Sequence, residues 1–189
     1  ELQEAGDSVA PAVLSFYLIE VLADVVAPLG GEGMPYVPGW RLRSASLDVL
    51  DALIARAREI IEARGVPIRG DDLAVLLVRD QLVGPLGQPL LEARLVLSLL
   101  ELSSEIRQNT FGEWGLRNWE TISPRRMNDK IYLILKKHGK PLHFREIVRL
   151  INEQGFDHKQ AHAPTVHNEL ILDPKFVLIG RGIYALREW

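Results

Sequence analysis

The sequence has no cysteine. That excludes a disulfide framework, thiol catalysis and every zinc motif built on cysteine. It suits a reducing compartment, so a cytoplasmic location is expected. Lysine is missing from residues 1–122, where ten arginines face eighteen acids for a net −8. All six lysines fall in residues 123–189, where twelve bases face seven acids for a net +5. Such a split points to one end of the chain facing a polyanion. An apolar run free of charge is missing too. The longest, VAPAVLSFYLIEVLADVVAPLG, contains Glu20 and Asp24. Each acid costs about 2.5–3.5 kcal/mol near a bilayer centre, so the run reads as a buried amphipathic helix and no membrane partner is expected. Catalytic signatures are lacking as well: there is no GxSxG, Walker loop, GxGxxG or HExxH. The glycine-rich LGGEGMPYVPGW has neither the lysine nor the following helix of a phosphate loop. No enzyme and no cofactor is expected.

What the sequence does have is one phrase written twice. GEWGLRNW at 112–119 and GIYALREW at 182–189 align Gly112 with Gly182, Trp114 with Tyr184, Leu116 with Leu186, Arg117 with Arg187 and Trp119 with Trp189. A second pair lies upstream, GVPIRGDDL at 65–73 and GKPLHFREI at 139–147. The offsets of 74 and 70 imply two units of roughly 70 residues in tandem.

In the later unit Met127, Ile131, Ile134 and Leu135 recur at helical spacing, and Gly139 and Pro141 stop that helix. PLHF reads as a short extended piece. A helix from about Arg145 follows, with Phe144, Ile147, Leu150 and Ile151 on one face and Gly155 after it. Pro164 suits the first turn of a third helix. KFVLIG and IYALREW then form a hairpin around Gly180-Arg181-Gly182. This is the order of a winged helix-turn-helix.

The earlier unit repeats it. A first helix is lined by Leu47, Leu50, Leu53, Ile54, Ala57 and Ile61. A second covers Asp71–Val83, the loop GPLGQP spans 84–89, and a third runs from about Leu90 to Ile106 before a hairpin in NTFGEWGLRNW. The fold expected is mainly α with small β wings: residues 1–46 as a helical leading segment (helix at about 8–28) and linker, 47–122 as a diverged winged helix, and 123–189 as a second. Trp114, Leu116, Tyr184 and Leu186, spaced by two as a strand requires, would plug the two cores, with Trp119 and Trp189 closing each unit.

MNDKIYLILKKHGKPLHFREIVRLIN and APTVHNELILDPKFVLIGRGIYALREW resemble the HARE-type winged helix-turn-helix family. That family includes the delta subunit of bacterial RNA polymerase, sigma-factor-like bacterial proteins, restriction-linked proteins and chromatin factors. FGEWGLRNWETISPR between the units is similar to sigma-factor-like proteins that carry such domains after a promoter-reading module. No such module is recognisable here, which would make the chain a piece of a longer one. The resemblance implies transcription, with either DNA or RNA polymerase as partner.

A helix-turn-helix reads duplex DNA with its third helix, flanked by phosphate contacts. Here Lys159, Gln160, His162, Thr165, His167 and Asn168 fall at the start of that helix. Gln and Asn can pair with adenine. Arg181 sits at the wing tip, and Lys136, Lys137 and Lys175 add positive charge. The same residues also read as a solvated polar face. His158 and His162 stand four apart, but a zinc site needs three or four ligands, and no metal is expected. The earlier unit, acidic and with an apolar third helix, is a poor DNA reader. It is expected to pack on the leading segment, on a second copy in a homodimer, or on a partner protein.

Overall fold

The computed structural model describes residues 11–79, 92–157 and 159–189. The loop at 84–89, the expected helix ends before Pro11, beyond Arg79 and at Leu90, and His158 lie outside them. The described residues are mainly helical, with three small antiparallel sheets.

The leading segment differs from expectation. Helix α1 (Pro11–Phe16) runs into a π-helical turn (Tyr17–Val21) and stops. Val26–Leu29 is instead strand β1, paired with β2 (Gly39–Leu42) so that Val26 faces Leu42 and Leu29 faces Gly39. β-Branched Val25 and Val26 favour the extended chain, and Pro28 cannot donate to a helix. Nor is α1 buried, since Leu14, Phe16, Tyr17 and Ile19 are exposed. The glycine- and proline-rich stretch carries Tyr36 back into the protein. Its neighbour Val37 donates N–H to the Leu102 carbonyl (2.8 Å), and the Tyr36 hydroxyl donates to Asp51. Burial and then the Asp51 contact push the Tyr36 phenol up to about 12. Leu29 and Tyr36 thus belong to the core of the earlier unit.

That core is built on α2 (Asp48–Arg64), whose Leu50, Leu53, Ile54, Ala57 and Ile61 are all buried. Gly65 ends the helix in the left-handed region. Strand β3 (Ile68–Arg69), α3 (Gly70–Arg79) and α4 (Ala93–Leu100) follow, then β4 (Ile106–Gln108) and β5 (Glu113–Leu116). α4 stops short of the expected Ile106 because the Ser103 hydroxyl accepts the N–H groups of Glu105 and Ile106, turning the chain into β4. Val96 and Leu100 of α4 are buried within this unit, so the apolarity that pointed to a partner is covered internally.

The later part has a separate core. α5 (Met127–His138) ends at Gly139, strand β6 is Leu142–His143, and α6 (Phe144–Gln154) ends at Gly155. α7 (Ala163–Leu172) carries Pro164 in its first turn, and β7 (Phe176–Gly180) and β8 (Ile183–Leu186) form the hairpin. Ile131, Ile134, Leu135, Ile147, Ile151, Val166, Leu170, Phe176, Tyr184 and Leu186 fill this core.

The two sheets have the same strand order, β3-β5-β4 and β6-β8-β7. Ile68 faces Trp114 as Leu142 faces Tyr184, and Ile106 faces Leu116 as Phe176 faces Leu186. Gly112 (φ 80°) and Gly182 (φ 73°) turn the hairpins, and their carbonyls accept N–H from Gly70 and Phe144. Arg117 N–H meets the Glu105 carbonyl and Arg187 N–H the Lys175 carbonyl, both at 2.8 Å. The last pair of the repeated phrase diverges. Trp119 is half-buried against the first core, whereas Trp189 is 49% exposed and closes nothing. Glycine is required at the second turn by its positive φ and because a Cβ would lie 2.7 Å from His143 Nε2. Gly182→Ala is therefore expected to cost more than about 1 kcal/mol, read as a lower midpoint for the later part in a thermal melt.

Candidate nucleic-acid interface

α7 shows two sides. Val166 and Leu170 are buried, while Pro164, Thr165, Asn168, Ile171 and Leu172 are exposed. His162 is the N-cap residue, so Lys159 and Gln160 lie in the preceding loop and not in the helix as expected. That loop is fastened by Asn152, whose side chain accepts the Ala161 N–H (2.7 Å) and donates to the Ala161 carbonyl (3.1 Å). The Asp157 carboxylate accepts the Lys159 N–H at 3.1 Å. Lys159, Gln160, His162, Thr165 and Asn168 are all exposed.

The wing is tied to α7 by a row of rings. His143 and Phe144 are 4.7 Å apart between centroids, Phe144 and His167 5.0 Å, and His167 and Tyr184 6.1 Å. His167 is half-buried in this row. Arg181, exposed at the turn, precedes the Gly182 that packs on His143 and Phe144. Arg145, which the sequence reading passed over, lies with its guanidinium 5.8 Å from the Phe144 ring centre. Among the described residues, no carboxylate lies within 4 Å of Lys159, Arg181 or Arg145.

The other predicted cations are elsewhere. Lys136 pairs with Glu188 at 2.7 Å and Lys175 approaches Glu120 at 3.8 Å. Both ammonium groups lie about 6 Å from the Tyr132 ring. The hydrogen bond with Lys136 holds the Glu188 carboxyl below its ordinary range and raises the lysine. This ring overlooks a cleft of about 600 Å³ between the interunit linker and α5, lined by Glu120, Leu133, Pro174 and Arg187 among others. Lys137 sits 5.3 Å from the ring centre of Phe111, a residue of the earlier hairpin turn. Arg149 is held by Glu146 and Glu153 on its own helix. The nine predicted contact residues therefore divide. Lys159, Gln160, His162, Thr165, Asn168 and Arg181 frame the α7 and wing surface; Lys136, Lys137 and Lys175 do not.

Two buried charges escape a reading of the sequence. Asp129 is buried at the start of α5, where it accepts the Arg126 backbone N–H (3.1 Å). Lys130 is 3% exposed and pairs with Asp157 at 2.7 Å. That hydrogen bond holds the Asp157 carboxyl below its ordinary range. Only an acid three residues into a helix, the place of a capping-box partner, hints at the first.

A three-helix core, a two-residue strand inserted between its first helices and a hairpin closing the sheet make up the later part. Residues 125–189 match the HARE-HTH family model, whose description names the ASXL and restriction endonuclease HTH domain. Similar curated proteins include the probable DNA-directed RNA polymerase subunit delta of Lactococcus lactis subsp. cremoris SK11, 30% identical over 73 residues. The protein of that description from L. lactis subsp. lactis IL1403 is 32% identical over 73 residues. Each alignment covers 37% of this chain and 39% of the relative, so the chain spans about two fifths of the length of these relatives. No solved structure matches the chain significantly. The HARE-HTH segment contains α5 through β8, and hence the α7 and wing surface. No helix among the described residues is long and apolar enough to cross a membrane.

Proposed function

We propose that the chain is a transcription-associated protein whose residues 123–189 form a winged helix that contacts duplex DNA through α7 and the wing. One observation carries the reading: the exposed side of α7 offers Thr165 and Asn168, and Lys159, Arg145 and Arg181 stand around it without a carboxylate partner among the described residues. Thr165 and Asn168 would meet base edges, and the three cations would meet phosphates. Gln160 and His162 supply further donors at the helix start. The match to an HTH family supports this assignment. We further propose that residues 47–122 are a diverged winged helix, on the strength of the shared strand order, register and turn glycines. Residues 1–46 add Leu29 and Tyr36 to its core.

The test is binding of a short duplex across a salt series. Affinity should fall as salt rises. Lys159→Gln or Arg181→Gln should each weaken binding and flatten the log–log slope by about 0.9 for every phosphate no longer neutralised. Binding that ignores salt, or that both variants leave intact, removes the reading.

A second reading, docking on RNA polymerase, is favoured by a different observation. Ile171, Leu172, Leu178 and Ile179 are more than half exposed on α7 and β7, an apolar area suited to protein contact. Its support from relatives is their description as polymerase subunits. Polymerase capture by the full chain that survives Lys159→Gln and Arg181→Gln but is abolished in Ile171→Asp would select it over DNA contact.

A further inference from the structure

The two hairpins reach the same turn with opposite residues at the tip. In the later one the tip is Gly180-Arg181-Gly182, with Arg181 exposed; at the equivalent place the earlier one has Thr110-Phe111-Gly112. Phe111 does not point into solvent. It packs against the second core, with its ring 5.8 Å from that of Phe156 in an edge-to-face pair at 75°. Lys137 lies over its face at 5.3 Å. The Thr110 carbonyl accepts a hydrogen bond from Gln154 Nε2 at 2.9 Å. Thus three residues at the C-terminal ends of α5 and α6 and just beyond receive the tip of the earlier hairpin.

The turn is stiffened to do this. Buried Asn109 accepts the N–H groups of Phe111 (2.9 Å) and Glu113 (3.0 Å) through Oδ1. Its Nδ2 donates to Glu113 Oε2 (3.0 Å) and to the Thr121 carbonyl (3.1 Å) in the linker between the units. All the hydrogen-bonding capacity of this amide is therefore spent on shaping the tip and fastening it to the linker. Ile122 of that linker is buried too, against Gly115 of β5, where a Cβ would lie 2.7 Å from it.

We infer that Phe111 is a latch: the wing tip of the earlier unit serves as an intramolecular plug that fixes the orientation of the later unit, leaving Arg181 as the wing tip that meets a partner. A single aromatic ring in an edge-to-face contact, capped by a cation, is enough to bias two compact bodies toward one arrangement. The contact also draws Lys137 away from any nucleic-acid surface. This inference stands whether the later unit meets DNA or protein.

The test is amide relaxation by NMR on the full chain. In the native protein the two units should tumble together. Phe111→Ala should leave the amide dispersion of both units intact while their relaxation rates separate into two sets. Phe156→Ala, which removes the other ring, should do the same, and Phe111→Tyr should keep common tumbling. Rates that stay common in both alanine variants overturn the latch. So does loss of the later unit's dispersion in Phe111→Ala and Phe156→Ala alike, since Phe111 would then be part of that unit's own core and not a plug on it.

Discussion

Trp114→Ala is expected to unfold the earlier unit and spare the later one. Trp114 is 1% exposed in the central strand of the β3-β5-β4 sheet, between Ile68 and Gln108. Truncating a buried tryptophan typically costs about 3–5 kcal/mol, comparable to the whole margin of a small domain. The residues around Tyr184 form a distinct cluster and keep their own packing. Urea unfolding followed by resolved amide signals should show residues 48–116 unfolding at much lower denaturant than residues 127–186. Trp114→Phe should be far milder. The indole Nε1 is buried without a hydrogen-bond partner, and leaving such a donor unsatisfied costs about 1–3 kcal/mol. Removing it offsets part of the forfeited packing. Joint disappearance of both sets of signals in Trp114→Ala would contradict the assignment of separate cores.

The second large effect concerns Lys130 and Asp157. Asp157→Ala leaves a buried ammonium with no counter-charge, a change that costs about 3–5 kcal/mol for fully buried pairs. Asp157 is 37% exposed, which places this pair toward the low end. Lys130→Met keeps the aliphatic stem and removes the charge, so its cost should be much smaller. The asymmetry is the prediction, and denaturation of the two variants side by side reads it. Acid should act in the same direction. The Asp157 carboxyl lies lower in the folded protein than in the unfolded chain, because Lys130 bonds to its charged form. Its contribution is therefore complete above the ordinary carboxylate pKa and disappears as pH falls through the lower, folded value. The stability gap between native protein and Asp157→Ala should narrow on acidification below about pH 4.

Periodicity makes the helices of the later unit legible: Ile131, Ile134 and Leu135 line α5, and Gly139, Pro141 and Gly155 mark real stops. The repeated phrase locates both closing strands because a strand that seals a core must place large residues two apart, as Trp114 and Leu116 or Tyr184 and Leu186 do. The leading segment defeats the same reasoning, because apolar content does not distinguish a buried helix from a helix followed by a hairpin. Pro28, within the run, is the available sign. The site is legible only in outline. Exposed lysines look alike in sequence, and only the fold reveals that Glu188 and Glu120 meet Lys136 and Lys175 while no carboxylate among the described residues meets Lys159. Arg145 is hidden because its position beside the wing depends on β6 pairing with β8, a contact spanning some forty residues. The plug is hidden for a similar reason. Phe111 reads as part of a hairpin turn, and its partner Phe156 lies in another unit.

The most direct test of the central claim is chemical-shift mapping of the full chain on adding a short duplex at low salt. Perturbations are predicted at Lys159–Asn168, at Arg145 and at the Gly180–Gly182 turn, with residues 48–116 unmoved. Perturbations confined to the cleft around Tyr132, or spread over the acidic earlier unit, would contradict it.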